Sequence, residues 1–95
     1  MAQIDVRTTR EDDEGFQFAV TLEEAGSASD HQVTLSRADF ERLGSSFASP
    51  EEFLRRCFEF LLERERKESI LTRFDVSQIG SYFPEFEQQI RQLRG

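Results

Sequence analysis

Apolar and polar residues alternate with a period of two over the first third of the chain, then switch to a period near that of a helix. Ile4, Val6 and Thr8 share one face of a stretch over residues 3–10, and Phe16, Phe18, Val20 and Leu22 share one face of the next. The polar segment 11–15, ending in Gly15, reads as their connection. The small polar run 24–30 reads as a second turn, leading into a short strand over 31–35 with Val33 and Leu35 on one side. The pattern predicts a three-stranded antiparallel meander with one apolar face. Such a face must be covered by the elements that follow.

The change of period comes at Ser36. Ser36 and Asp39 are spaced as a capping box, Phe40 and Leu43 share a helical face, and Gly44 suits the end of a two-turn helix. A stronger start follows at Ser49-Pro50-Glu51-Glu52: a capping hydroxyl, proline at the first helical position, then two acids beside the free amides. The helix it opens is predicted over about 50–67. Its apolar residues, Phe53, Leu54, Cys57, Phe58, Phe60, Leu61 and Leu62, span an arc of about 200°, roughly twice the stripe needed to lie on one sheet. The excess calls for contact on a second side, from the C-terminal segment or from another chain. Beyond it, Ile70, Leu71 and Phe74 form an apolar cluster, Asp75 and Gln78 read as a further cap, and Pro84 starts a last helix bearing Phe86, Ile90 and Leu93. The expected class is α+β: a three-stranded antiparallel meander over about 3–35, then three or four helices over about 36–94, packed on one face as a single domain.

Composition narrows the class further. Ten Phe in 95 residues supply enough apolar area to fold, which argues against disorder. One Cys excludes an intramolecular disulfide, and no apolar run reaches bilayer length. With no signal-type apolar stretch at the N-terminus, a cytoplasmic protein is expected. The formal charge of −7 lies mostly in the first third, concentrated in Glu11, Asp12, Asp13 and Glu14. A field of that sign repels a phosphate backbone, so nucleic acid is not the expected partner. The acidic run reads as a solvated turn or as a patch for a basic partner.

Chemistry-bearing constellations are scarce. Cys57 falls inside the apolar arc and is expected to be buried and inert. His31 follows Asp30 at the entrance of a strand, but a base oriented by a carboxylate also needs a nucleophile and an oxyanion site. No spacing singles out an acid pair, a metal set or a glycine-rich phosphate loop, so no catalytic residue, cofactor or metal is expected.

The order strand HQVTLS, short helix RADFERL, glycine turn and longer helix from Pro50 resembles the ribbon–helix–helix fold over residues 31–67. In that fold two chains pair their strands, and the ribbon enters the DNA major groove. The resemblance implies a dimeric DNA-binding regulator or antitoxin with Gln32 and Thr34 facing the bases. Here the strand carries neither Lys nor Arg. A second resemblance rests on HQVTLS, SPEEF, FEFLLERE, SIL and YFPEFE, over most of residues 31–90. These are similar to landmarks of short bacterial proteins of uncharacterised function. That likeness implies a small cytoplasmic bacterial protein and carries no activity with it.

The leading expectation is a non-enzymatic interaction module that holds a partner protein or pairs with itself as a homodimer. Phe53, Phe60, Leu61, Phe83 and Phe86 are the expected contact residues, because the over-wide arc and the Phe-rich tail meet there.

Overall fold

A computed structural model describes residues 2–92. Strands β1 (Gln3–Glu11), β2 (Gly15–Glu24) and β3 (Ser27–Ser36) are followed by helices α1 (Arg37–Leu43) and α2 (Pro50–Leu62). A single 3₁₀ turn (Lys67–Ser69), strand β4 (Arg73–Asp75) and helices α3 (Ser77–Tyr82) and α4 (Phe86–Gln92) complete the described chain. The class is α+β, as the change of period predicts.

The meander forms with the expected faces. Ile4, Val6 and Thr8 lie opposite Leu22, Val20 and Phe18, while Phe16 and Phe18 lie opposite Leu35 and Val33. Asp12 closes the first hairpin by accepting the amides of Glu14 and Gly15 at 2.9 and 3.1 Å. Arg37 holds the same turn from outside, donating to the Asp12 carbonyl at 2.8 Å and pairing with Glu11 at 3.0 Å. Asp12 and Glu11 of the acidic run thus have structural work in the turn.

The second turn is tighter than expected. Only Ala25 and Gly26 are unpaired, both at positive φ (55° and 81°), the type I′ geometry that matches strand twist. Strand β3 therefore begins at Ser27, ahead of the expected residue 31.

Two further corrections concern the second half. The sheet is four-stranded, in order β1-β2-β3-β4, with β4 parallel to β3. The cluster Ile70, Leu71 and Phe74, expected to be helical, instead runs through the end of the 3₁₀ turn into this strand. Backbone bonds from Gln32 to Thr72 (2.7 Å) and from Val76 to Thr34 (2.9 Å) hold it there. Helix α2 stops at Leu62, short of the expected residue 67. The Asp75–Gln78 cap does form: Gln78 Oε1 accepts the Asp75 amide at 2.8 Å, and Asp75 accepts the Ser77 amide at 3.0 Å. Leu93 lies outside the described residues.

Both earlier caps are as predicted, with Ser36 accepting the Asp39 amide and Ser49 the Glu52 amide. The wide arc of α2 is buried by this chain except at Leu62, which is half-buried. Phe53 packs edge-on against Phe40 and Phe47 and Phe60 edge-on against Phe83 and Phe86, while Phe58 lies tilted against Phe74 and His31. Arg64 fastens the tail: it lies 3.6 Å over the Phe60 ring and reaches Glu85 and Gln89, each at 3.0 Å. The other sheet face carries the exposed side chains of Asp5, Arg7, Gln17, Gln32, Thr34 and Arg73. No described helix is long and apolar enough to cross a membrane.

Candidate functional site

The five expected contact residues separate into two groups. Phe53 and Phe86 are fully buried and Phe60 nearly so, which places them in the core rather than on a surface. Phe40 and Phe47 enclose Phe53, and the tail's Phe83 and Phe86 rings cover Phe60 on the second side of the arc. Leu61 is buried and Phe83 half-buried, and both line a depression between the end of α2, β4 and α3.

This depression is an apolar concavity. Leu61, Ile70, Phe74 and Ile79 form its floor, and Phe83 one side. Two large apolar side chains stand exposed at its rim: Leu71 at 45% and Tyr82 at 64%. Its volume is about 160 Å³. An apolar cavity of about 150 Å³ takes one benzene ring, whereas sites for drug-sized ligands run to about 300 Å³ and more. The space therefore suits one aromatic or branched aliphatic side chain.

Glu65 stands in the wall. Among the described residues its carboxylate has no hydrogen-bond or ion-pair partner, and partial burial raises its pKa above the ordinary glutamate value. Two of the three cations next in the chain are committed elsewhere, while Arg66 is exposed and makes no ion pair among the described residues. Arg64 turns to the tail, and Lys67 is buried with its ammonium on the Ser27 hydroxyl at 2.6 Å and on Glu68. An unpaired, partly desolvated carboxylate beside an apolar hollow favours a cation arriving with an apolar group.

Elsewhere the chemistry-bearing residues have structural partners. His31 is not at an open turn; it sits under the sheet, 1% exposed. Its Nδ1 lies 2.7 Å from the Leu71 carbonyl and its Nε2 2.9 Å from the Ser29 hydroxyl, so both ring nitrogens are occupied. Cys57 is fully buried, which pushes its thiol pKa far up. No group of three or more His, Cys, Asp or Glu among the described residues could hold a metal ion.

Gln32 and Thr34 lie on the exposed sheet face, and the Thr34 hydroxyl donates to Asp75. Strand β3 has both edges occupied, by β2 and β4. A ribbon made of two β3 strands would require β4 to leave.

Glu65 is not among the residues that periodicity singles out, and Leu71, read as part of an apolar cluster, stands exposed at the rim. The alternation Ile70, Thr72, Phe74, Val76 is the one sequence signal that could have revealed β4 and the rim beside it.

Comparison of the chain with protein-family models, with curated proteins and with solved structures found no match.

Proposed function

We propose that the protein is a non-enzymatic interaction module whose hollow beside Glu65 receives a segment of a partner protein. The segment presents one aromatic or branched aliphatic anchor with a Lys or Arg next to it. The observation that carries this reading is the pairing of an apolar hollow of side-chain size with an unpartnered carboxylate. Exposed Leu71 and Tyr82 add the apolar rim of such a contact, and Tyr is among the side chains enriched at interfaces. The net charge of −7 speeds the approach of a basic segment.

Peptide display against the full chain tests this, with a Leu71→Ser/Tyr82→Ser double variant for counter-selection. Enriched peptides should carry an apolar residue within one helical turn of a Lys or Arg. They should shift the amide resonances of residues 69–71 and 78–83. Glu65→Gln should weaken them about two- to fivefold, in line with about 0.5–1 kcal/mol for a partly exposed ion pair. Peptides that bind the double variant equally well, or that shift only the open sheet face, would sink the reading.

A further inference from the structure

We propose that the free edge of β1 pairs with the same edge of a second copy of this chain, antiparallel, about a two-fold axis at Val6. The surface is separate from the hollow beside Glu65.

Strand β1 ends the sheet, with β2 its only strand neighbour among the described residues. Arg55 donates from α2 to the Ile4 carbonyl at 2.6 Å, so the backbone groups of Ile4 face off the ladder. In an antiparallel ladder this direction alternates residue by residue, which turns Val6 and Thr8 the same way. Three residues thus offer amides and carbonyls to an incoming strand, the arrangement used in strand addition. The Ile4 carbonyl keeps a second lone pair for an amide alongside Arg55.

The side chains choose the occupant. Inverting residues 4–8 about Val6 sets Asp5 opposite Arg7 of the second copy, Arg7 opposite its Asp5, and Ile4 opposite its Thr8. The result is the self-complementary surface that a two-fold dimer requires. Asp5 and Arg7 are 67% and 60% exposed on the open face, where they pair with each other at 3.5 Å; in the dimer each exchanges that partner for the second copy's. Centring the pair on residue 5 would oppose two Asp5 side chains, and centring it on residue 7 two Arg7 side chains. Like charges directly opposite each other disfavour both alternatives.

The strand is also interrupted in the right place. Its register shifts between Thr8 and Arg10, so the regular stretch ends where the inverted one would. On the helix side Ile4 and Val6 are only partly buried against the core, a margin that a second sheet would cover.

Sedimentation equilibrium of the full chain, from micromolar to millimolar concentration, tests the proposal. It is run beside Arg7→Asp and the double swap Asp5→Arg/Arg7→Asp, each checked for fold by circular dichroism. The native chain should dimerise reversibly, Arg7→Asp should associate about tenfold more weakly, and the double swap should recover. A native chain that stays monomeric overturns the proposal, as does a dimer indifferent to Arg7→Asp. A dimer lost on Tyr82→Ala but kept in Arg7→Asp also overturns it, by placing self-association at the hollow.

Discussion

His31 Nδ1 donates to the carbonyl oxygen of Leu71 at 2.7 Å, joining the third strand to the entrance of the fourth across 40 residues. A carbonyl oxygen only accepts, so Nδ1 carries the proton, and Nε2 meets the Ser29 hydroxyl. The ring also packs on Phe58, 5.6 Å between centroids. One side chain therefore spans the layer between sheet and helix and sets the rim of the hollow.

His31→Phe keeps an aromatic ring against Phe58 but leaves the Leu71 carbonyl without its donor. The expected cost is about 1–3 kcal/mol. It should appear as a lower urea midpoint at unchanged slope. The Gln32 amide, bonded to Thr72, should exchange faster as β4 loosens. An unchanged midpoint would remove the tie from the account of how β4 is held.

Glu65→Gln should stabilise the protein near neutral pH while weakening peptide binding. Its folded pKa is raised by desolvation, so its contribution to stability is full below the ordinary value of 4.5 and is lost as pH rises through the folded value. Removing the charge therefore raises stability at pH 7 relative to pH 4. Thermal melts at pH 4 and pH 7 should show the native chain and the variant converging at the lower pH. A variant less stable than the native chain at pH 7 would show that Glu65 has a structural partner.

Helix α4 should loosen first in acid. Arg42 holds Glu87 through two bonds, at 2.7 and 3.2 Å, and lowers its pKa. Glu85 is lowered by its own backbone amide and by Arg64. For both, stability is full above the ordinary glutamate value of 4.5 and is lost as pH falls through the lower folded values. Amide exchange over residues 86–92 should accelerate below pH 4 ahead of the sheet, and Glu87→Gln should flatten that dependence. Simultaneous loss of sheet and α4 protection would contradict this order.

The two hairpins should respond oppositely to small changes. Ala25 sits at φ 55°, a strained place for a residue with a Cβ, and the favoured type I′ pair is Asn-Gly. Ala25→Asn should raise stability by about 0.5–1 kcal/mol. A Cβ on Gly15 would lie 2.3 Å from the Leu35 carbonyl oxygen, so Gly15→Ala must push two strands apart. Its expected cost is about 3 kcal/mol or more. Calorimetry of both variants checks the contrast.

The faces of the meander, the caps at Ser36, Ser49 and Asp75, and the burial of Cys57 were legible because each depends on neighbours a few residues away. Alternation sets which side of a strand is apolar, and a capping side chain reaches an amide two or three positions on. The extra breadth of the α2 arc was legible as well, together with the two ways of covering it. Its owner was not, because Phe83 and Phe86 reach Phe60 only after the chain has turned back past β4. Of the expected contact residues, Leu61 and Phe83 reach the hollow, Phe60 and Phe86 are enclosed by that same return, and Phe53 is enclosed by Phe40 and Phe47.

By itself, then, the order of residues determined an α+β chain: three strands with one oily side and a firmly started central helix. Tertiary structure alone decided that three residues after Thr72 would become a parallel strand, that His31 would be a tie, and that Glu65 would stand unpaired beside a hollow. A three-residue strand leaves only the brief alternation Ile70, Thr72, Phe74 and Val76 in the sequence, and its backbone bonds come from a partner some 40 residues away. Whether a carboxylate is paired depends on where every nearby cation has gone, and only the closed fold sends Arg64 to the tail and Lys67 inward.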